Sequence, residues 1–513
     1  MLERFALGAQ IALQPLSLLF MLVGVAWGII GGALPGISGS MAMALLLPFT
    51  FGMDPAIALM MLAGVYIGAM YGGSITAILI RTPGTPGAAA TVIDGYELHK
   101  KGQSGKALGV SLITGTIGGV VSVFILVALA VPLSKIALAF GPAEYFALGV
   151  FGLALISSFV GRDLLKGAIS GLLGLVLATA GTDPFSGTPR FIVGKTDLLS
   201  GVELVAGMIG LFAVSEMLHQ IGESEAWERI KGKFTTDLPK WIEIIKLRTA
   251  MLIGIVMGTI EGLLPGGGGA IAAFISYNEA KRWSKTPEEF GHGSLEGIAA
   301  PETANNVVTG TAMIPLLTFG IPGSNSAAVM LAAMLLHGIQ PGPQLFERTP
   351  QIVYGLFVGM FVANFMMLAL GYLSLRPAIA IVNIQRPLLL TSILALVLIG
   401  AYSISNRMFE VWVVLLTGLL GYGMRRYGFN ILAMVLGLVL GFLVEVNLRR
   451  SLLISLGNPW VFFTRPISLA LLIFAMITLL WPIIRQVRQD RKQQRLLRDV
   501  GDFTELAESQ PRQ

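Results

Sequence analysis

Small polar residues in this sequence cluster beside Pro-Gly pairs that interrupt apolar stretches. They are Ser38, Ser40, Thr82, Thr85, Ser324, Asn325 and Ser326, with Gly39, Gly84 and Gly323 among them, and the separate motif Pro301–Asn306 adds Asn305 and Asn306. Such side chains line a polar site without adding fixed charge, and a helix that begins there turns free N–H groups toward a bound anion. We therefore expect these residues to bind an anionic substrate. Capping of helices by their own Ser and Thr residues is the alternative interpretation.

Two charged residues are further candidates for the site. Arg81 directly precedes the first Thr-Pro-Gly, so it is a candidate partner for a substrate carboxylate, or else a side chain that snorkels to the membrane interface. Glu302 lies between Pro301 and two amides and is a candidate for binding a coupling cation or proton; an interfacial helix cap is the alternative. Carbonyl groups freed where a helix stops can hold Na⁺, which makes Gly36 and Gly266 further ion-coupling candidates.

The breaks recur in the same order in the two parts of the chain. Gly32-Ala-Leu-Pro-Gly-Ile-Ser-Gly39 matches Gly262-Leu-Leu-Pro-Gly-Gly-Gly-Gly269 at an offset of 230 residues. Thr82-Pro-Gly-Thr-Pro-Gly-Ala-Ala89 matches Ile321-Pro-Gly-Ser-Asn-Ser-Ala-Ala328 at an offset of 239. Two such interruptions per half are typical of a duplicated transporter with discontinuous helices. The sequence does not show whether the halves are inverted.

The composition requires lipid around most of the chain. Of the 513 residues, 54% are hydrophobic and 12% are charged, against roughly 25% charged in a soluble domain. The apolar runs are about 17 to 25 residues long, which suits membrane-crossing helices. The sequence therefore predicts an all-α, polytopic bundle of about twelve spans in a lipid bilayer. The net charge of +6 indicates membrane anchoring and not nucleic-acid binding.

Predicted spans and half-spans are each bounded by Pro, Gly or charge. They begin near Ile11, Met41, Ala56, Lys106, Ala143, Leu164, Leu199, Met251, Ile298, Ala327, Ile352, Leu388, Val411, Ile431 and Ile467. Charged segments divide the chain into a first transmembrane half (residues 1–222), a linker (223–248), a second half (249–484) and a basic tail (485–513). The excess of Lys and Arg places the tail, and with it the linker, in the cytoplasm.

Two further charged stretches bear on the topology. Arg425 and Arg426 precede one apolar run while Arg449 and Arg450 follow it, so either one pair faces outward or the run does not cross fully. The stretch Asp94–Lys101, downstream of the first Thr-Pro-Gly, is interpreted as a solvated loop.

Several classes of chemistry are excluded or disfavoured. The chain has no cysteine and four histidines, so no metal centre is expected apart from a Na⁺ site. Gly36-Ile-Ser-Gly39 has the Gly-x-Ser-Gly form found around the nucleophile of rhomboid-type intramembrane serine proteases, but no histidine lies mid-span to serve as a base. A gated anion channel is the other alternative, since broken helices also form filters; two unequal copies in one chain favour alternating access.

Long motifs in this chain resemble the large membrane subunit of the tripartite tricarboxylate transporters. They are Tyr71–Ile80, Thr82-Pro-Gly84, Ala89–Tyr96, Lys101–Gly109, Pro301–Asn306 and Gly320–Ser324. The resemblance covers nearly the whole chain and is weakest after about Leu388. Family members often carry Asn where this chain has Arg81, which leaves the identity of the carboxylate open.

The resemblance implies a multi-pass permease of the bacterial inner membrane that is not an enzyme. It implies two protein partners, a periplasmic solute-binding protein and a small four-helix membrane subunit. It also implies symport of citrate or another carboxylate substrate with Na⁺ or H⁺, and no cofactor besides that coupling ion. The chain contains no Gly-x-x-x-x-Gly-Lys-Ser/Thr phosphate loop, in keeping with secondary transport.

Overall fold

The computed structural model of this chain describes residues 2–34, 37–159, 164–222, 237–264, 268–375 and 386–480, and most of these are helical. Before the linker lie α1 (Leu2–Ala12), α2 (Pro15–Gly32), α3 (Gly39–Leu46), α4 (Pro55–Ile80), α5 (Thr91–Lys100), α6 (Ser104–Ala137), α7 (Pro142–Phe159), α8 (Leu164–Ala178), α9 (Leu204–Ile209) and α10 (Ser215–Gly222). Next come α11 (Trp241–Lys246), α12 (Arg248–Leu263), α13 (Gly268–Trp283), α14 (Glu296–Thr311), α15 (Met313–Phe319), α16 (Asn325–Leu336), α17 (Leu345–Arg348) and α18 (Pro350–Ser374). The last are α19 (Arg386–Ser405), α20 (Met408–Arg426), α21 (Ile431–Ile454), α22 (Val461–Thr464) and α23 (Pro466–Leu480).

Shorter elements connect these helices. They are 3₁₀ turns at Leu47–Thr50, Pro86–Ala88, Thr196–Ser200 and Pro287–Glu289, a π turn at Gly210–Val214, and antiparallel strands β1 (Gly181–Thr182) and β2 (Pro189–Arg190).

The all-α membrane architecture predicted from the composition is confirmed. A helix begins within a few residues of each predicted start. Within the described ranges, seven helices are long and apolar enough to cross a membrane: Pro15–Gly32, Pro55–Ile80, Ser104–Ala137, Leu204–Ile221, Pro350–Ser374, Met408–Arg426 and Ile431–Ile454. The total of about twelve spans stays a prediction, because several apolar helices are too short to cross alone.

Helix α4 forms the centre of the bundle before the linker. It begins sharply because Asp54 Oδ1 accepts hydrogen bonds from the N–H groups of Ala56 (2.9 Å) and Ile57 (3.3 Å), and Pro55 occupies the first helical position. Every residue from Ala56 to Leu79 is buried. A helix that is apolar and buried on all sides must be surrounded by other helices.

Helix α2 runs parallel to α4 at very close range. A side chain at Gly24 would clash with the carbonyl oxygen of Met61, and one at Gly28 with the carbonyl oxygen of Val65. Glycines four residues apart let two membrane helices bring their backbones together, which is the main source of packing energy where lipid removes the hydrophobic drive.

Helix α12 packs on α14 in the same way beyond the linker. A Cβ added at Gly254 would lie 2.6 Å from the carbonyl oxygen of Ala300, and one at Gly258 would lie 2.6 Å from that of Ala304. Each of these glycines follows its counterpart in α2 by 230 residues, and each carbonyl follows its counterpart in α4 by 239. The packing therefore recurs at the two offsets at which the Pro-Gly motifs recur.

The helices on either side of the first Pro-Gly pair in each part form a hairpin. Helix α3 begins with Gly39 beside Ala69, near the middle of α4, and leads the chain back to the start of that helix. Gly269, in the first turn of α13, lies beside Asn305, and α13 runs antiparallel to α14. Residues 35–36 and 265–267, which include the ion-coupling candidates Gly36 and Gly266, lie outside the described residues.

The second Pro-Gly pair of each part follows a left-handed turn. Helix α4 ends at Arg81 with φ 59°, and α15 ends at Gly320 with φ 74°. The next N–H in each case bonds back to a carbonyl oxygen six residues earlier, that of Thr76 at 3.4 Å and that of Pro315 at 3.2 Å. Each turn therefore directs the following Pro-Gly pair back along the helix that it has just left.

The long helices of the two parts run in opposite directions. Ser74 Oγ donates to Glu302 Oε1 at 2.7 Å, and the Tyr66 hydroxyl lies 3.1 Å from Ser324 Oγ. Ser324 follows Gly323, which packs against Ala312 near the start of α15. The later residue of α4, Ser74, therefore contacts α14 at Glu302, and the earlier residue, Tyr66, lies near the start of α15. Helix α4 is thus antiparallel to α14 and α15.

The linker defines one face of the bundle. Glu243 of α11 forms an ion pair with Lys106 at the start of α6, with 2.6 Å between the charged atoms. We call this end the linker face. We call the opposite end the far face. There α6 ends, α7 begins, and Glu144 pairs with Arg465 at 3.2 Å.

Helix α21, which lies between the two arginine pairs, is one unbroken helix of 24 residues. Arg425, just before it, pairs with Glu216 at the linker face, and Arg449, near its end, pairs with Asp183 at 2.8 Å. The length of this helix favours the alternative in which one arginine pair faces outward. The arginine pairs lie at opposite ends of a helix long enough to cross a membrane.

Candidate functional site

Segments that follow all four Pro-Gly breaks converge on one cavity of about 150 Å³. We call it the central cavity. Its wall is made by the starts of α3, α13 and α16, by the 3₁₀ turn at Pro86–Ala88, and by parts of α4, α14 and α21. The residues that line it are Ser38, Gly39, Ser40, Tyr66, Met70, Thr85, Pro86, Gly87, Gly268, Gly269, Ala270, Asn305, Ser324, Asn325, Ser326 and Leu432.

Two serines hold the helix starts in place. Ser38 Oγ and Ser324 Oγ each accept a hydrogen bond from the backbone N–H three residues later, at 3.2 and 3.1 Å. The capping interpretation is therefore correct for both, although both also line the cavity. Ser38 Oγ lies 3.0 Å from Ser40 Oγ. This small hydroxyl network extends the first helix start along the wall.

Asn305 is the lining residue whose side-chain amide is left without any hydrogen-bond partner among the described residues. It is fully buried on α14, and neither its Oδ1 nor its Nδ2 has a hydrogen-bond partner among the described residues. Its amide lies against Gly87 and Gly269, where a side chain on either glycine would collide with Oδ1. Thr85 Oγ1 is likewise buried without a partner. Buried polar groups in native proteins are nearly always paired, so these groups are suited to a bound ligand.

Glu302 lies one helical turn before Asn305 and is completely buried. Its Oε1 accepts hydrogen bonds from Ser74 and Thr91, while its Oε2 has no partner. The interpretation as an interfacial cap is wrong, because Glu302 lies inside α14, which begins at Glu296 and ends at Thr311.

No Lys, Arg or His of the described chain lies within ion-pair distance of Glu302. A buried carboxylate without a counter-charge costs several kcal/mol. The site is therefore suited to hold a proton or a metal cation, with the two hydroxyl groups fixing the carboxylate.

The other predicted site residues lie outside the cavity wall. Asn306 faces α6 and donates to the carbonyl oxygen of Glu302 at 2.9 Å. Gly84 packs against the Gly32 carbonyl and Gly323 against the Gly262 carbonyl, so both allow a turn to contact a hairpin. Thr82 is half-buried in the first of these turns.

Arg81 also lies outside the wall. It is exposed, and its guanidinium carbon lies 5.9 Å from the ring centroid of Tyr96. A left-handed φ at a residue with a side chain is uncommon, and Gly320 occupies the corresponding position 239 residues later. Arg81 thus ends the helix and, in this conformation, does not reach the central cavity.

The predicted solvated loop at Asp94–Lys101 is wrong, because the residues up to Lys100 belong to helix α5 and Asp94 is not solvated. Asp94 lies in α5 and is fully buried. It accepts hydrogen bonds of 2.8 Å from the N–H groups of Gly291, Gly293 and Ser294, and one of 2.9 Å from the Tyr277 hydroxyl. Four donors compensate the buried charge, and they come from beyond the linker.

Sequence reasoning missed part of the cavity wall. Gly268 and Gly269 belong to the repeated motif and could have been found by matching it to Ser38-Gly39. Tyr66 and Met70 carry a weaker signal, since they share one face of α4 at a spacing of four. Leu432 carries no local signal, because only tertiary packing brings α21 to the site.

Among the described residues, no base lies beside Ser38. Its hydroxyl contacts Ser40 and the N–H of Met41, whereas His337 lies 3.2 Å from Thr50 Oγ1. The arrangement gives no support to the serine-protease alternative.

Comparison with known proteins gives a consistent result. Residues 18–436 match the model of the tripartite tricarboxylate transporter TctA family. An uncharacterized 52.8 kDa protein in the TAR-I ttuC' 3'region of Agrobacterium vitis is 37% identical over 492 residues, covering 96% of this chain and 98% of that protein. An uncharacterized protein in the TAR-II ttuC' 3'region of the same bacterium is 38% identical over 236 residues, covering 46% of this chain and 98% of that protein. No solved structure gives a significant match.

Proposed function

Because this chain belongs to the tripartite tricarboxylate transporter TctA family, a family of transporters and not of enzymes, we propose that it is the large permease subunit of a binding-protein-dependent secondary transporter. It imports citrate or a related carboxylate across the bacterial inner membrane. It works with a periplasmic solute-binding protein and a small four-helix membrane subunit. Symport with Na⁺ or H⁺ supplies the energy.

The convergence of helix starts on the central cavity carries this proposal. Three helices, α3, α13 and α16, begin at the wall. Each helix start carries roughly half a positive charge and unpaired N–H groups. Together they favour an anion of more than one negative charge, and no charged side chain among the lining residues competes for it. The hydroxyl and amide groups of Ser38, Thr85, Asn305 and Ser324 complete the site.

Glu302 is the proposed coupling site. An ionised Glu302 repels a substrate anion in the adjacent cavity: two charges roughly 8 Å apart at an effective dielectric constant of about 20 interact by about 2 kcal/mol. A proton or Na⁺ on Glu302 removes this repulsion, so cation and substrate bind together. Asn305, one turn along α14, lies between the two sites. The carbonyl groups near Gly36 and Gly266 are additional candidates for holding Na⁺.

We further propose that residues 1–222 and 249–484 are inverted duplicates of one unit. The recurring contacts of the α2 and α12 glycines support this, as do the matching left-handed turns and the antiparallel course of α4 and α14. Two inverted units that meet at a shared site allow one to move against the other, which exposes the site to each face in turn. The linker face is then cytoplasmic and the far face receives substrate.

Transport by the reconstituted complex tests the proposal. We expect proteoliposomes with the permease, the small subunit and the binding protein to accumulate radiolabelled citrate or a dicarboxylate when a Na⁺ or pH gradient is applied. Asn305→Ala is expected to weaken uptake at least about tenfold, as loss of hydrogen bonds to a charged ligand implies. Asn458→Ala, at an exposed position on a connecting turn, is the matched control and is expected to transport normally. Gradient-independent flux without the binding protein would contradict the proposal and indicate a channel.

A further inference from the structure

A second, larger cavity opens at the far face, away from the four breaks. Its volume is about 470 Å³, and it lies between the connection from α16 to α17, the start of α7 and the last turns of α21. The polar side chains that line it include Tyr145, Gln340, Gln344, Arg348, Asn447 and Arg450, and no acidic residue lines it. We call it the far-face cavity.

Three acidic side chains near this cavity already form ion pairs with other arginines. Arg190 pairs with Glu445 at 2.7 Å, Arg449 with Asp183 at 2.8 Å, and Arg465 with Glu144 at 3.2 Å. Arg348 and Arg450 are both exposed, and neither has a carboxylate within 4 Å in the described ranges of the chain. Glu347 is exposed beside Arg348 but does not line the cavity. The far face therefore has two surplus guanidinium groups, and both face the same space.

We propose that the far-face cavity is a capture site for the carboxylate substrate, occupied before the central cavity. Two guanidinium groups match a di- or tricarboxylate, because each can bind one carboxylate through two parallel hydrogen bonds. The amides of Gln340 and Asn447 supply further donors. That the captured anion is a carboxylate rests on the function proposed above, whereas the surplus of positive charge does not.

The far-face cavity is physically connected to the broken helices. Its wall includes the segment that leaves α16, the helix whose start lines the central cavity. The Gly342 N–H in this segment donates to the Leu317 carbonyl of α15 at 3.0 Å. An anion held by Arg348 thus lies close to the segment that leaves α16 and contacts α15. These two helices lie on either side of the fourth break.

Anion binding at this cavity can be measured without transport. The chain has no cysteine, so Gln344→Cys carries a single environment-sensitive fluorophore in the purified subunit. Citrate is titrated against it, with potassium chloride of equal ionic strength as the reference. We expect a saturable, citrate-specific shift that is at least about tenfold weaker in Arg348→Gln/Arg450→Gln. Arg282→Gln, at an exposed arginine near the end of α13, is expected to leave the shift unchanged.

The outcomes separate the two proposals. A missing citrate-specific shift, or one that Arg348→Gln/Arg450→Gln leaves intact, overturns the capture site even when gradient-driven uptake is normal. An equal loss in Arg282→Gln reveals general charge screening and also overturns it. A specific shift in a complex that fails to accumulate citrate supports the anion site and overturns the proposed transport function instead.

Discussion

At the scale of single residues, the chemistry of this protein concentrates on α14. Glu302, Asn305 and Asn306 are all buried, and each keeps at least one polar atom without a partner in the described structure. Three such residues within two turns are costly for folding. In the proposed transport function, a cation and an anion bound beside these residues would offset that cost.

Glu302→Gln tests whether the carboxylate couples substrate to the cation. The neutral amide still accepts a hydrogen bond from Ser74 but cannot gain or lose charge. We expect citrate exchange down its own gradient to persist, while accumulation driven by a Na⁺ or pH gradient is lost. Counterflow and gradient-driven uptake, measured side by side, check this. Glu288→Gln, at an exposed position, is the control, and full gradient-driven accumulation by the Glu302 variant would refute the assignment.

Sequence reasoning at this scale found about half of the cavity wall. Ser38, Ser40, Thr85, Asn305 and Ser324 were recognisable because a Pro-Gly break within an apolar run frees backbone groups that need polar neighbours. Asp94 was misjudged because its four donors lie about 200 residues away. Local composition cannot reveal a charge that is compensated by a distant loop.

At the scale of helices, the glycines of α2 and α12 determine how the hairpins pack. Both helices place a glycine against a carbonyl oxygen at successive turns of the neighbouring long helix. A helix begins near every start that the sequence predicted, since Pro, Gly or charge marks each of those boundaries. It predicted neither that α13 folds back along α12 nor that α5 is helical, because both depend on contacts between distant segments.

Gly28→Ala tests the close approach of α2 and α4. The added methyl group would collide with the Val65 carbonyl, so the helices must separate. We expect a loss of about 1 to 3 kcal/mol in stability, typical of overpacking, visible as a lower unfolding temperature in detergent. Gly423→Ala is the matched control, because that helical glycine faces open space and alanine favours a helix there. Equal unfolding temperatures for the two variants would show that the approach is not tight.

At the scale of the whole molecule, segments from distant parts of the sequence meet at the central cavity. The four breaks are spread over nearly 300 residues of sequence, yet the segments after them line a single cavity of about 150 Å³. The antiparallel course of α4 and α14 accounts for this convergence, since each part approaches the middle of the bundle from its own face. The sequence matches predicted the pairing of breaks but contained no information on their relative direction.

Substrate protection of the central cavity tests this account most directly. Because the chain contains no cysteine, Asn325→Cys places a single thiol at the start of α16, on the cavity wall. We expect citrate to slow its modification by a small, negatively charged thiol reagent in the reconstituted complex, while Ser200→Cys, exposed outside the cavity, reacts at an unchanged rate. Equal modification of Asn325→Cys with and without citrate, in a complex that still transports citrate, would show that the substrate does not bind where the four breaks converge.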